Sequence, residues 1–369
     1  MKKIIFIILI VFLFYFSYSF KSFQLLMISI SFLSLFGFFL KKINKNLILI
    51  IFSILISVTS VEIILLFMNN GKIVKIDSKK NFSKNIKYEK TFLGHQPVPG
   101  VQNHMVVING KIKINKNYTI GDDKFRWTPE LDATEKNKTM NFFGGSFTFG
   151  WGLNDDETLP YTTQFYFKNW KIKNYGVSGY GIHQMLALIQ KNPETIGDLN
   201  FLITDTRHIP RATCKRDYSF GTPKYTLNIE NKLIRSGYCN YGVFNKIPLP
   251  RIIGSVVNRS QIKILIDKLY FRKIDIGKKD VELYLAIISE INKIILGEKK
   301  KIIIGYMNAN GKINEYVLKK LTQKKIKFVD LSLNPENKEY WLPDEHTSKK
   351  GNEKRSLMIA NFLKKKQNN

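Results

Sequence analysis

The chain has 369 residues and a formal net charge of +29, a length that suits one domain with appendages. Such a charge would suit nucleic acid, because clustered Lys and Arg side chains release counterions when they bind phosphates. Here the basic residues are scattered among Ile and Asn, without a basic helix, an RNA-binding signature or zinc-finger spacing. The composition therefore argues against a nucleic-acid partner. It leaves coding bias, or a surface compatible with anionic lipid or acidic polysaccharide.

Residues 1–70 are almost entirely apolar and predict a membrane anchor. They contain three apolar runs, at 4–20, 23–40 and 47–68. A helix needs roughly 17 to 25 apolar residues to cross a bilayer, so each run is a candidate span. No small-residue cleavage site follows the first run, which argues against a signal peptide. We expect about three retained transmembrane helices in a lipid bilayer.

The lysines around these runs predict the orientation of the anchor. They lie before the first run and between the second and third, at Lys2, Lys3, Lys41, Lys42 and Lys45. Because short basic loops stay in the cytoplasm, everything after the third run is expected outside the cytoplasmic (inner) membrane, in an extracytoplasmic or periplasmic location. The lysines just after the third run argue the other way, but they begin a long domain, and long domains cross largely regardless of charge.

After the anchor, residues 71–90 are charged and aperiodic and are interpreted as a linker. Residues 91–138 form a β-rich extension with a hairpin signal at Asn109-Gly110, since both residues tolerate positive φ. The extension is expected to act as a lid or brace for the main domain, at 139–369.

In the main domain, short apolar segments alternate with helical patterns. Strands are predicted at 139–143, 171–175, 199–204, 301–306 and 326–331, and helices near 158–168, 181–191, 280–297 and 314–325. Such alternation indicates a parallel sheet covered by helices on both faces. We expect an α/β fold, a three-layer α/β/α sandwich with a five-stranded parallel sheet.

A long insertion at about 209–275 separates the third and fourth strands and is expected to shape a substrate pocket. It holds both cysteines, Cys214 and Cys239, which can form a disulfide in an oxidising compartment or remain free thiols. The sequence does not predict a structural metal or a cofactor. We expect structural roles for the histidines of the extension and of the second helix (His95, His104 and His183) and a helix-capping role for the acidic run 155–157.

Two glycine-rich loops follow predicted strands. Residues 144–150 (GGSFTFG) place Ser146 where active sites of open α/β sheets gather, at the carboxyl end of a strand. Residues 174–181 (NYGVSGYG) offer backbone N–H groups that can stabilise an oxyanion. Ser178 in the second loop is a rival nucleophile, although a helix cap is the simpler interpretation.

A third candidate segment, Pro343-Asp344-Glu345-His346, follows the last strand and precedes a C-terminal helix. A serine nucleophile needs an imidazole to take its proton and a carboxylate to hold that imidazole. Asp344 and His346 can supply both groups from one loop.

Together these three segments resemble the SGNH (GDSL-like) hydrolase superfamily over about residues 139–365. The resemblance implies a flavodoxin-like sheet, a Ser146–His346–Asp344 triad and an acyl-enzyme, with the N–H groups of Ser146 and Gly179 as oxyanion donors. The stretch 118–129 (YTIGDDKFRWTP) is also similar to one found before the serine block in a membrane-linked bacterial subgroup.

Two features depart from the family pattern. Its third block normally supplies an Asn as an oxyanion donor, but here the strand end is Thr204-Asp205-Thr206-Arg207-His208. Thr206, Arg207 and His208 are therefore candidate substrate-binding residues. One residue, rather than the commoner two, separates Asp344 from His346, a spacing also found in alginate-acetylating relatives.

The functional hypothesis is a serine esterase that acts on an acyl ester, O-acetyl by expectation, outside the membrane. The alternative is an O-acyltransferase that modifies a cell-envelope polysaccharide, with a membrane partner as acyl donor. A third hypothesis is a catalytically degenerate protein that binds glycan or scaffolds an envelope complex.

Overall fold

The computed structural model describes residues 44–68, 81–84, 86–108, 111–132, 135–216, 219, 221–239, 261–262 and 276–365. The chain divides into two compact units. One comprises Met1–Ser78 and Val243–Ile274, and the other comprises Lys79–Gly242 and Asp275–Asn369. The predicted insertion 209–275 is therefore split between the two units.

In the first unit, helix α1 spans Lys45–Met68. Its segment Lys45–Leu65, 21 residues long, is apolar enough to cross a membrane and spans about 30 Å at 1.5 Å per residue. This helix corresponds to the third predicted run, whereas the first two runs lie outside the described residues. Glu62 on α1 is fully buried, and its carboxylate accepts hydrogen bonds from the backbone N–H groups of Gln261 and Ile262, at 2.7 and 3.0 Å.

The second unit begins with the β-rich extension. Its strands are β1 (Asn81–Lys84), β2 (Tyr88–Glu89), β3 (Gln96–Pro97), β4 (Gly100–Ile108) and β5 (Lys111–Ile120). β1 and β2 lie within residues 71–90, which the sequence predicted as a linker, and β1 pairs with β4, so the extension begins before the predicted residue 91. β4 and β5 form the predicted antiparallel hairpin, and the turn residues Asn109 and Gly110 lie outside the described residues. Tyr118 and Ile120 on β5 pack against Phe149, which follows the candidate nucleophile closely in the chain.

The central sheet has five strands, β6 (Lys138–Gly144), β7 (Trp170–Gly176), β8 (Leu199–Thr204), β11 (Lys301–Tyr306) and β12 (Phe328–Asp330), all paired in parallel in the order β12-β11-β8-β6-β7. Every residue of β8 is buried, as expected for a strand covered on both faces. The predicted α/β fold with a five-stranded parallel sheet is confirmed.

Helices cover the two faces of this sheet. They are α2 (Ser146–Phe149), α3 (Leu159–Thr163), α4 (Ile182–Lys191), α5 (Ile209–Ala212), α6 (Lys278–Gly297), α7 (Lys312–Gln323) and α8 (Lys349–Lys365). One apolar cluster joins α4, α6 and α7 to one face of the sheet, and a second joins α3 and α8 to the other. The three layers of the sandwich are therefore present.

The part of the insertion that belongs to the second unit contains α5 and an antiparallel hairpin of β9 (Pro223–Leu227) and β10 (Leu233–Tyr238). Cys214 after α5 and Cys239 after β10 form a disulfide, with their Cα atoms 5.4 Å apart. Of the two states that the sequence left open for these cysteines, the structure has the bonded one.

Candidate active site

The serine loop turns sharply from β6 into α2. A Cβ on Gly144 would lie 1.8 Å from Oγ1 of Thr148, so only glycine allows the turn to close this tightly. Ser146 is the first residue of α2, and its N–H therefore has no acceptor within the helix. Its side chain is largely buried, with 6% of the residue exposed. The turn presents a hydroxyl and an N–H at the carboxyl end of the sheet.

The histidine loop is a narrow hairpin that precedes α8. Trp341 and Thr347 are bridged in an antiparallel pair, and the N–H of Leu342 donates to the carbonyl of His346 at 2.7 Å. Glu345 occupies the left-handed region with φ of 66°, which closes the turn between Asp344 and His346. The hairpin therefore holds the Asp and His side chains on one short, fixed segment.

The structure brings Ser146, His346 and Asp344 together. Nε2 of His346 lies 3.0 Å from Oγ of Ser146, and its Nδ1 lies 3.2 Å from Oδ2 of Asp344. The Nδ1–H is not directed at this carboxylate with the geometry of a hydrogen bond, so the second contact is a close approach of the two groups. The backbone N–H of His346 donates to Oδ1 of the same carboxylate at 3.3 Å. The order Ser, His, Asp is that of a nucleophile, a base and an orienting carboxylate.

The electrostatics of Asp344 favour its charged form. Burial alone would raise its pKa, but the close imidazole and the backbone N–H of His346 lower the pKa by more, so that it lies below its ordinary value. A carboxylate that is ionised at neutral pH can stabilise an imidazolium at His346.

Two aromatic rings border the His346 imidazole. The rings of Phe147 and Trp151 lie 5.2 and 6.2 Å from it, measured between centroids. Both residues belong to the segment that follows Ser146, so the serine loop also limits how the imidazole can turn.

The glycine loop after β7 lies beside the serine loop. The N–H of Val177 donates to the carbonyl of Gly144 at 3.1 Å, and a Cβ on Gly145 would lie 3.0 Å from the carbonyl oxygen of Tyr180. Gly179, between these contacts, has φ of 85°, a conformation that favours glycine. Of the two serines considered as nucleophile, Ser146 is the one whose hydroxyl contacts the imidazole of His346. The expectation that Ser178 caps the following helix is wrong, because Gly181 is the N-cap of α4.

The segment after β8 forms a 3₁₀ turn, Thr206–His208. These are the three residues that the sequence offered as substrate-binding candidates. Nε and Nη2 of Arg207 donate to the buried carboxylate of Asp205, and its guanidinium lies 4.3 Å from the centre of the Phe147 ring. Arg207 and His208 both border a small cavity beside Gly145 and Phe147. Of the three candidates, Arg207 lies beside the serine loop because its guanidinium packs on the ring of Phe147, the residue after Ser146.

His208 is buried on the same 3₁₀ turn. Its Nδ1 lies 3.1 Å from Oγ1 of Thr204, and its Nε2 would lie 3.2 Å from a Cβ on Gly145. Burial and the nearby charge of Arg211 hold the pKa of His208 well below its ordinary value, so the ring is neutral. His208 therefore supports the serine loop from behind as an uncharged group.

Two buried arginines, neither of them predicted as a site residue, hold the serine loop and the histidine loop. Arg126, from the stretch 118–129, donates through Nη1 to the carbonyls of Phe149 and Gly150, at 3.0 and 2.7 Å, and through Nη2 to that of Leu153 at 2.6 Å. Its Nε donates to Asp155 at 2.9 Å. The acidic run 155–157 forms a 3₁₀ turn, in which Asp155 receives Arg126. Glu157 accepts from the N–H of Asn154 at 2.8 Å in a capping box, so the expected capping role is confirmed for this residue.

Arg355 on α8 holds the histidine loop in a similar way. Its Nε donates to the carbonyl of Leu331 at 2.9 Å, and its Nη1 donates to the hydroxyl of Thr347, the residue after His346. Burial lowers the pKa of Arg355 to about 9. A lone Arg on the inner face of an otherwise amphipathic helix is the only sequence signal that could have identified it.

No protein-family model matches the chain, and a search of curated proteins gives no match. Among solved structures, the chain is similar to a member of the lipolytic G-D-S-L family from Veillonella parvula, at 13% identity and a TM-score of 0.37 over 60% of this chain and 96% of that one. A protein described as lipolytic and of the same family, from Desulfitobacterium hafniense, is 11% identical with a TM-score of 0.36, over 61% and 99% of the two chains. A carbohydrate esterase is 13% identical with a TM-score of 0.35, over 77% and 88%.

Proposed function

We propose that the chain is a serine-dependent ester hydrolase with Ser146 as nucleophile, His346 as general base and Asp344 as the orienting carboxylate. The observation that carries this proposal is the 3.0 Å contact between Oγ of Ser146 and Nε2 of His346. A serine hydroxyl is a weak nucleophile until a base within hydrogen-bond reach takes its proton. Asp344 lies 3.2 Å from the other nitrogen of the imidazole, within reach to orient this base.

In this mechanism His346 removes the Ser146 proton as Oγ attacks the ester carbonyl. The N–H groups of Ser146 and Gly179 bind the oxyanion that forms, and the protonated His346 then donates its proton to the leaving alcohol. An acyl-enzyme remains on Ser146. Water, activated by His346 in the same way, attacks the acyl carbonyl and releases the acid.

A small cavity supports a short acyl group, with acetyl as the expected one. It has a volume of about 10 Å³ and is bordered by Gly145, Phe147, Ile203 and Met307 and by the polar residues Thr148, Thr204, Asp205, Arg207, His208 and Arg211. That is the space of roughly one water molecule. A methyl group fits into it, whereas a longer acyl chain does not.

Two observations support an extracytoplasmic location for this chemistry. Helix α1 is long and apolar enough to cross a membrane. The Cys214–Cys239 disulfide is typical of an oxidising compartment rather than the cytosol. We propose an anchor of about three helices, with the catalytic unit outside the cytoplasmic membrane, where an ester of a cell-envelope polysaccharide is an available substrate.

The full chain, solubilised in detergent, tests the proposal by release of nitrophenol from nitrophenyl acetate. Ser146→Ala should abolish release and also abolish labelling by a serine-reactive fluorophosphonate. Ser236→Ala, which removes an exposed serine on β10, is the matched control and should change neither reaction.

The same preparations incubated with acetylated polysaccharide distinguish hydrolysis from transfer, since free acetate reports water as the acceptor and a newly acetylated glycan reports transfer. If wild type and Ser146→Ala behave alike toward both substrates, the catalytic proposal is wrong and glycan binding without chemistry becomes the explanation.

A further inference from the structure

The peptide between Ser178 and Gly179 is the central peptide of a β-turn. The turn runs from Val177 to Tyr180, with the N–H of Tyr180 donating to the carbonyl of Val177 at 3.1 Å. Gly179, at the third position, has φ of 85°, which is the type II value. Type I and type II turns differ by a flip of this central peptide, and glycine at the third position tolerates both. The turn alone therefore does not fix the direction of the Gly179 N–H.

A histidine from the extension holds the other end of that peptide. Nε2 of His95 lies 2.9 Å from the carbonyl oxygen of Ser178. A carbonyl oxygen can only accept, so Nε2 must carry the proton and donate it. Because a trans peptide is planar with its C=O and N–H on opposite sides, fixing the Ser178 oxygen also fixes the Gly179 N–H.

We propose that His95 is a positioning residue that keeps the Gly179 N–H directed at the oxyanion during catalysis. The inference rests on the proposed function, since it gives a role to the same site. Without this hydrogen bond the central peptide can flip and place the carbonyl of Ser178, an acceptor, where the oxyanion needs a donor. The extension then contributes to the rate of the reaction and not only to the fold.

The surroundings of His95 fit a fixed donor. The Tyr180 hydroxyl donates to the backbone carbonyl of His95 at 2.7 Å, and Nε2 of Gln184 donates to that of Leu93 at 2.8 Å. The rings of Tyr88 and Tyr180 meet the imidazole edge to face, at 5.1 and 5.3 Å between centroids. Burial keeps the pKa of His95 below its ordinary value, so the ring is neutral. Both the backbone and the ring are thus held against the Ser178 carbonyl.

The test compares three substitutions at His95 in the full detergent-solubilised chain, with nitrophenyl acetate as substrate. Gln places an amide N–H close to the position of Nε2, whereas Asn reaches only to the position of Nδ1 and Phe has no donor. His95→Phe and His95→Asn should lower kcat about 100-fold, the order of one lost oxyanion donor, with KM changed less than about threefold. His95→Gln should keep kcat within about tenfold of wild type.

The thermal unfolding midpoint separates this role from a structural one. If His95→Phe fails to fold, the Gln and Asn variants, both polar and similar in size, still decide. Equal loss of kcat in Gln and Asn variants, or no loss in a folded Phe variant, overturns the inference. Neither result affects the proposed function, which fails if wild type and Ser146→Ala behave alike toward both substrates.

Discussion

Nε2 of His346 contacts Oγ of Ser146 at 3.0 Å across a sequence separation of 200 residues. When two groups act in the same step, removing either one already removes the contribution of both to the rate. The effects of substituting Ser146 and His346 on kcat should therefore not be additive. Ser146→Ala, His346→Ala and the double variant should show the same residual kcat, within about a factor of three. Steady-state rates with nitrophenyl acetate measure this. A double variant much slower than either single variant would mean that the two residues act independently.

Asp344 gives a prediction about pH. Its pKa lies below the ordinary 3.8, because the contacts with His346 outweigh the effect of burial. A carboxylate with a lowered folded pKa stabilises the fold above its unfolded pKa and loses that contribution as pH falls through the folded value. The group is therefore ionised from about pH 5 to 9. Asp344→Asn should lower kcat/KM by a factor on the order of 10⁴ at every pH in that range.

The measurement for Asp344 is the ratio of wild-type to variant kcat/KM across the pH range. A flat ratio is the expected result. If the ratio shrinks toward low pH, the wild-type carboxylate is being protonated there, and its contact with His346 does not hold the charge as described.

Arg126 is fully buried and donates to three carbonyls of the segment after Ser146. Arg126→Met leaves those carbonyls and the Asp155 carboxylate without their donor, a change that costs about 3 to 5 kcal/mol in other buried ion pairs. The midpoint of thermal unfolding should fall by roughly 10 °C. Arg235→Met, at an exposed position on β10, is the matched control and should leave the midpoint within about 1 °C.

The small cavity beside Met307 predicts the acyl preference. Nitrophenyl acetate should have a kcat/KM at least about tenfold above that of the butyrate, since each methylene that fits badly is worth roughly 1 to 3 kcal/mol. Met307→Ala should narrow this ratio by admitting butyrate, whereas Leu357→Ala, partly exposed on α8, should not. Equal use of both esters by the wild type would place the acyl chain elsewhere.

The Cys214–Cys239 disulfide closes a loop with a sequence separation of 25 residues. Its removal in Cys214→Ser/Cys239→Ser should cost about 3 kcal/mol of stability. In intact cells, a membrane-impermeant maleimide should label the wild type only after reduction. Labelling without a reductant would show free thiols, and absence of labelling after reduction would contradict the external location.

The sheet could be predicted from the sequence because its strands are buried on both faces and therefore appear as short continuous apolar runs. The runs at 199–204 and 301–306 match β8 and β11 in full. Ser146, Asp344 and His346 were identifiable because each follows a strand in a parallel sheet, whose carboxyl ends share one edge.

Contacts between distant segments could not be predicted in the same way. The His95 side chain reaches a carbonyl 83 positions away, and Arg126 reaches carbonyls 23 to 27 positions away. Backbone carbonyls leave no signature in a sequence, so a buried His or Arg gives no sign of which loop it holds. The prediction that Ser178 caps α4 was also wrong. The N-cap is Gly181, which has no side-chain oxygen and so gives no capping signal in the sequence.

Glu62 on α1 bears on how a soluble form of this protein should be designed. Its carboxylate accepts the N–H groups of Gln261 and Ile262, both from the middle of the insertion. Truncation before residue 72 would remove the acceptor of two backbone donors, at the buried Gln261 and the half-buried Ile262. A water-soluble version should therefore delete Met1–Ser78 and Val243–Ile274 together and join Gly242 to Asp275 through a flexible linker.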